Sequence, residues 1–264
     1  MRVAKDNPDA RAAGADLAKS AAVISRLVKN ALLPIAALNF GLQKAEAYFR
    51  ERFGEELAEK TSGIPAENLI APKTSVAGPV LQGMAFTLDE DELREMYLAL
   101  MATAMDDRTA SLAHPAFAEI IRQLSAEEVA VLNLVMSQGI DRPIAQLQYR
   151  ANDGSGTMLA ANHVLPVVDG DGRPWDDETL SSHFGNWIRL GLVEVIYSTY
   201  LVRPNAYDWV QKHHFYEEAA RKVPDGYSMG SIPGILRTTD FGDSFAEAVG
   251  IAASSSSTVR LGDE

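Results

Sequence analysis

His114, which is followed by Pro115, is a residue whose side chain could do chemistry, because an imidazole titrates near neutral pH and can act as acid, base or metal ligand. No second histidine or carboxylate stands beside it at ligand spacing. Pro115 has the backbone angle required in the first turn of a helix, and a side chain just before that turn can cap it. We therefore predict a capping or interaction role for His114 and Pro115.

Two other groups have residue types that could hold a metal ion. His213 lies four residues before Glu217, a spacing that suits a zinc pair on a helix, but the adjacent His214 would diverge and a third ligand is missing. Asp106 and Asp107 could bind a hard cation, although paired acids at a helix end more often belong to a loop. The sequence thus predicts no metal site and no cofactor.

The glycine-rich and acidic stretches do not complete a catalytic or phosphate-binding motif. "ANDGSGTM" lacks the Lys-Ser/Thr of a P-loop, and "VDGDGRPWDDE" lacks the spaced oxygens and the closing Glu of a calcium-binding loop. There is no G-x-S-x-G, no H-E-x-x-H and no cysteine to serve as a nucleophile. We predict that the protein is not an enzyme.

The helices that must position these residues are marked by apolar side chains at helical spacing. Asp89 and Glu92 have the spacing of a capping box and precede a face made of Leu93, Met96, Tyr97, Leu100, Met101 and Ala104. Pro115 begins a second face made of Phe117, Ile120, Ile121 and Leu124. Ser125 and Glu128 again have capping-box spacing, which predicts that the next helix starts at Ser125.

The character of the sequence changes after Gly139, where strand-like pieces alternate with glycine and aspartate turns. Helical spacing returns near residues 178–190 and is followed by a strand predicted over 192–202. Pro204 and Asn205 would turn this strand toward a partner. A last helix is predicted between Thr239 and Gly250.

This order predicts a mainly α protein with a small β component. We expect a helical domain over residues 21–124 and a winged-helix-like α+β domain over residues 125–250. Residues 1–20 and 251–264 are expected to be flexible, because they offer no clear apolar face.

A winged helix would place residues 178–190 where a DNA-reading helix lies. Asn186 and Arg189 are the side chains there that could contact bases or phosphates, whereas such a helix normally presents several of them. The chain has 36 acidic and 24 basic residues, and its formal net charge is −12. Because such a surface repels phosphate on average, nucleic acid is not the expected partner.

The N-terminal sequence predicts neither a secretory signal nor a membrane span. Its most apolar stretch covers residues 30–42, whereas a helix that crosses a bilayer needs about 20 apolar residues. The lack of cysteine is compatible with a reducing compartment, and we predict a cytoplasmic protein.

Several segments resemble the Abi-alpha family, bacterial and phage proteins named for an association with abortive infection. The resemblance covers about residues 20 to 250 and is most distinctive in "LREMYLALMATAMD" and "HPAFAEIIRQLS", with "IPAENLIAP" and "TTDFGDSFAEAV" as further matches. It implies a role linked to phage infection, and it implies no reaction, cofactor or catalytic residues.

Three functional hypotheses follow from the resemblance and the residues. The first is a non-enzymatic protein that acts in phage infection through contacts with a protein partner or with further copies of itself. The second is a winged-helix regulator that binds DNA. The third is a toxic effector that inserts residues 21–43 into a membrane surface, where Arg26 and Lys29 flank the apolar run; burial of that run in the core is the competing interpretation.

Overall fold

The computed structural model describes residues 42–137, 141–169, 179–251 and 259–261, together with residues 22, 23 and 26. The described residues fall into two compact units. The first unit contains the residues up to Ala126 and also Ala248–Gly250. The second contains Glu127–Glu247 and the residues from Ile251 onward.

The first unit is built from helices. They are α1 (Leu42–Glu51), α2 (Phe53–Lys60), α3 (Thr74–Met84), α4 (Asp91–Met105) and α5 (Ala116–Ile121). Helix α3 continues through Pro79. Residues 1–20, which were expected to be flexible, and most of the apolar segment 21–43 lie outside the described residues.

Helix α4 forms the centre of this core, as its apolar spacing predicted. All six side chains of the predicted face are buried, from Leu93 to Ala104. Helix α3 approaches α4 so closely that a Cβ atom on Gly83 would lie 2.2 Å from the hydroxyl oxygen of Tyr97. The prediction of a capping box at Asp89 was wrong, because the helix starts one residue later with Glu90 at the N-cap and without a side-chain capping bond.

Among the described residues, the second unit combines four α-helices with a four-stranded antiparallel sheet. Three of the helices are α6 (Ala126–Met136), α7 (Leu180–Arg189) and α8 (His214–Arg221), and the fourth is α9 (Asp240–Ala248). The strands of the sheet are β1 (Arg142–Ala151), β2 (Thr157–Val164), β4 (Val193–Ile196) and β5 (Tyr227–Thr238), in the order β2-β1-β5-β4. A separate pair joins β3 (Val167–Asp169) to β6 (Val259–Leu261). The mixture of helices and a sheet agrees with the predicted fold class, while its interpretation as a winged helix stays a prediction.

The predicted hairpin with a turn at Pro204 and Asn205 is wrong. Strand β4 ends at Ile196, and its partner is the far end of β5, where Ile196 pairs with Ile235. The chain between these strands forms an irregular loop, the short 3-10 helix Val210–Lys212 and α8. In this stretch of chain Trp209 and Val210 pack on one face of the sheet beside Leu147.

Arg142 joins the start of the sheet to the end of α6. Its side chain is 2% exposed, and its Nη2 donates to the carbonyl oxygen of Leu134 at 2.6 Å, with Nε donating to that of Val135 at 3.3 Å. The last carbonyls of a helix have no partner within the helix and carry the negative end of its dipole. The guanidinium therefore stabilises the C-terminus of α6.

The last helix, α9 (Asp240–Ala248), has the boundaries that the sequence indicated. The hydroxyl of Thr239 accepts a hydrogen bond from the backbone N–H of Gly242 at 2.9 Å, which caps the helix, and Gly250 adopts a left-handed φ of 76° just after it. In the first unit, the Thr103 hydroxyl donates to the carbonyl oxygen of Ala248 at 2.9 Å. The helical core is thus completed by residues from near the other end of the chain.

One segment that was expected to be flexible contains a strand. Val259–Leu261 forms β6, although residues 251–264 were expected to be a flexible tail.

None of the helices in the described part of the chain has both the length and the apolar character needed to cross a membrane.

Candidate functional site

His114 lies at the start of α5 and its side chain bonds to the backbone of that helix. Its Nδ1 accepts a hydrogen bond from the N–H of Ala116 at 3.1 Å, and its ring centroid lies 5.7 Å from that of Phe117. Pro115 was predicted to be the first residue of the helix. The structure places it one position earlier, at the N-cap. This geometry fits a residue that organises a helix start.

Glu128 is the predicted site residue with the most enclosed side chain. Although it is a carboxylate near the start of α6, it is only 4% exposed, and its Oε1 accepts a hydrogen bond from the amide nitrogen of Asn186 at 3.0 Å. The capping bond between Ser125 and Glu128 stays a prediction. Ser125 itself directly precedes α6, at the position that a capping residue takes.

The structure brings Glu128 together with both predicted nucleic-acid contacts on α7. The Asn186 carbonyl oxygen accepts a bond from Arg189 Nη2 at 2.7 Å, so both ends of the Asn186 amide are used inside the protein. Reading a base with this amide would require these two bonds to break, which has a cost when one partner is buried. Arg189 remains exposed at the end of the helix.

His183 completes this cluster and was missed by the sequence analysis. Its Nε2 lies 3.7 Å from Glu128 Oε2 and 3.3 Å from the Thr179 hydroxyl, and its ring stacks on Trp187 with centroids 6.3 Å apart. The available signal was the three-residue spacing of His183 and Asn186 on one side of α7. The contacts of Glu128 with Asn186 and His183 hold α7 against α6, because a buried carboxylate needs hydrogen-bond donors around it.

A second polar cluster lies on β2 and was also missed. His163 has a φ of 53°, which is rare for a residue other than glycine, and such strain is concentrated at functional sites. Its Nε2 lies 3.0 Å from the Asn162 amide nitrogen, and its Nδ1 lies 3.1 Å from the Tyr197 hydroxyl. Gln146 also donates to the Asn162 carbonyl oxygen at 3.1 Å. These four side chains form one hydrogen-bonded network.

The network favours a neutral imidazole. The Asn162 amide nitrogen can only donate, so Nε2 of His163 must accept and its proton sits on Nδ1, directed at Tyr197. Burial lowers the pKa of His163 below its usual range, and burial also raises the pKa of Tyr197 to about 12. Both side chains are therefore uncharged near neutral pH. They can donate and accept hydrogen bonds, but they offer no charge to a ligand.

The metal hypotheses gain no support among the residues that are described, because no three histidine or acidic side chains there come together as ligands. Nδ1 of His213 caps α8 by accepting a hydrogen bond from the N–H of Phe215 at 3.3 Å. Asp106 is paired with Arg108, whose Nη2 donates to it at 2.5 Å, and this bond holds the pKa of the Asp106 carboxyl below its usual range.

A groove runs beside β5 and is lined mainly by apolar side chains. Its volume is about 460 Å³, and one wall is the loop after β4 while the other is the strand itself. Val202 on this loop is 90% exposed and Tyr200 is 59% exposed. The Tyr207 hydroxyl holds the loop in place, since it donates to the carbonyl oxygen of Gly234 at 2.7 Å and accepts from the N–H of Leu201 at 3.0 Å.

A second cavity, of about 440 Å³, lies in the helical unit between α1 and the start of α4. Of the residues that line it, Arg94 donates to Asp91 at 2.6 Å, Lys44 pairs with Asp89, and the neutral Tyr48 hydroxyl donates to Glu56 at 2.7 Å. The cavity therefore offers both signs of charge at close range, and the apolar groove is the surface better suited to a protein ligand.

The comparison with known families agrees with the resemblance seen in the sequence. A family model described as "Abortive infection alpha" matches residues 44–249, which is most of the chain, and the protein belongs to this family. The match includes the loop after β4, α8 and the whole of β5. No curated protein and no solved structure matches the chain.

Proposed function

We propose that the protein acts in abortive infection by binding another protein through the groove beside β5, and that it does so without catalysing a reaction. Membership of the abortive infection alpha family supports the process. The observation that carries the mode of action is the exposed apolar lining of the groove, with Val202 and Tyr200 facing solvent. Large apolar side chains that remain exposed together commonly mark a protein contact.

The polar clusters support the non-enzymatic part of the proposal. Glu128 and Asn186 bond to each other between two helices, and His163 is held neutral between the Asn162 amide and the Tyr197 phenol. Their hydrogen-bonding capacity is used within the fold, as expected of groups that hold it together. We place this action in the cytoplasm, in keeping with a sequence that has no cysteine.

The test is an infection assay in cells that express the full chain or its variants. We expect the wild type to change phage yield or host survival, and Val202→Asp to abolish that change, because a charge placed in the groove must be desolvated on binding. Gln211→Glu is the matched control, since it adds the same charge to an exposed position in the neighbouring 3-10 helix. A wild type without effect on infection would contradict the proposed process, and an active Val202→Asp would contradict the groove.

Recovery of the tagged protein from infected cells distinguishes protein contact from DNA binding. We expect a protein partner, including further copies of this chain, to be recovered in stoichiometric amount and to be lost with Val202→Asp. DNA that is recovered at low salt, lost at high salt and lost with Arg189→Ala would instead support the winged-helix regulator.

A further inference from the structure

The four-stranded sheet has two open edges within the described part of the chain. Strand β2 is outermost and pairs only with β1, so one side of residues 157–164 has no partner strand there. Strand β5 pairs with β1 over its first ten residues, but β4 covers its other side only at residues 235–238. Residues 227–233 of β5 therefore lack a second partner strand among the described residues, whereas Gly234 is buried and its carbonyl already accepts from the Tyr207 hydroxyl. Pro233 is the one position among residues 227–233 without an N–H.

Both edges lack the charges that usually protect such strands. Residues 157–164 and 227–233 contain no aspartate, glutamate, lysine or arginine, although the chain as a whole carries a net charge of −12. Natural proteins place charged residues on open edges because unpaired backbone groups otherwise recruit another strand. Two strands without charged residues can approach each other without the repulsion that separates the rest of this acidic surface, and the charged residue that lines the groove, Arg203, is a cation.

Exposed apolar side chains accompany both edges. Met158 and Leu159 at the start of β2 are 47% and 60% exposed. The edge of β5 forms one wall of the apolar groove through Ser231, with the exposed Val202 on the opposite wall. A strand entering this groove would gain backbone hydrogen bonds from β5 and would bury apolar side chains against the loop.

We propose that β2 of one copy of the chain docks in the groove beside β5 of a second copy, so that the sheet continues from copy to copy. The contact is head to tail, because it joins two different edges, and it generates a ring or a filament. A two-fold contact between two β2 edges would leave the groove uncovered, whereas the head-to-tail contact covers both apolar surfaces. This inference rests on the proposed function in treating the groove as a protein-binding surface, and it names a second copy of the chain as the partner.

The test is the mass of the purified full-length protein in solution, measured by light scattering over a range of concentrations. We expect the wild type to exceed two chains and to grow with concentration. Leu159→Asp blocks the donated edge and Val202→Asp blocks the groove, and each variant alone is expected at the single-chain mass of 28.6 kDa. Because each variant keeps the surface that the other lacks, an equal mixture is expected to form a dimer and to stop there.

Three outcomes would overturn this proposal: a wild type that is monomeric at all concentrations, a wild type that stops at two chains, or an equal mixture that stays monomeric. Circular dichroism and thermal unfolding check that both variants fold, as expected for substitutions at exposed positions. Because this measurement uses purified protein without phage, its failure leaves the infection result standing. Conversely, a wild type that assembles but has no effect on infection would sink the proposed function alone.

Discussion

At the scale of single residues, the most informative side chain is Glu128, because it changes from a predicted capping group to a buried partner of α7. Its position near the start of α6 gave a capping interpretation from spacing alone. The contact with Asn186 lies 58 residues away along the chain. Sequence spacing reports neighbours within one helix, and it carries no information about a partner on another helix.

We expect Glu128→Ala to lower the free energy of unfolding by about 1–3 kcal/mol, because it leaves the half-buried amide of Asn186 without its acceptor. Glu127→Ala is the matched control, since it removes the same charge from an exposed position on the same turn, and we expect it to change stability by less than about 0.5 kcal/mol. Urea unfolding of both variants measures the difference. Equal losses would show that the contact with Asn186 contributes nothing.

His163 should make the stability of the protein depend on pH. Burial lowers its pKa in the folded state, so below about pH 6.5 the unfolded chain takes up the proton more readily than the folded protein. The stabilisation is complete above that pH and is lost as the pH falls toward the lowered pKa. We expect the thermal midpoint of the wild type to drop between pH 7 and the acidic range, and His163→Asn to drop less.

The choice of asparagine keeps this pH test specific, because asparagine tolerates the positive φ of position 163 but does not titrate. Tyr197→Phe serves as the control. It removes one hydrogen bond from the network and keeps the imidazole, so it should lower the midpoint at every pH and retain the slope. An unchanged slope in His163→Asn would mean that other groups cause the pH dependence.

At the scale of elements, the packing around two helical glycines predicts opposite effects of an added methyl group on stability. Gly242 in α9 faces the carbonyl oxygen of Leu192, which would lie 2.0 Å from an added Cβ atom, whereas nothing lies within 4 Å of a Cβ atom on Gly185 in α7. We expect Gly242→Ala to destabilise the protein by about 1–3 kcal/mol through overpacking. Gly185→Ala should stabilise it by up to about 1 kcal/mol, because alanine favours a helix.

Thermal or urea unfolding of the two glycine variants measures both effects against the same wild type. Both variants replace glycine with alanine inside an α-helix. The effect of alanine on helix propensity is therefore common to both and cancels when their stabilities are compared. Destabilisation of equal size at both positions would contradict the close approach of α9 to Leu192.

The elements also show where sequence patterns work. Helices α4 and α9 were predicted correctly because each has an apolar face of helical period, and α9 also has Thr239 as a cap and Gly250 as a stop. Strand β5 was not predicted, since Gly230, Pro233 and Gly234 interrupt its apolar pattern. Its formation depends on β1, with which it pairs over ten residues.

At the scale of the whole molecule, the order of units along the chain is not simple. Residues 248–250 belong to the helical unit although they follow the sheet in sequence. Nothing in the local sequence indicated that residues 248–250 would belong to the helical unit.

The sequence by itself determined the family, the acidic character and the helices whose faces repeat with a helical period. Each of these properties resides in composition or in residues close together along the chain. Only the tertiary structure decided that Glu128 binds Asn186, that His163 is held neutral in a network, and that β4 pairs with the end of β5. The physical reason is that such contacts join residues distant in sequence, and they form only when packing brings their elements together.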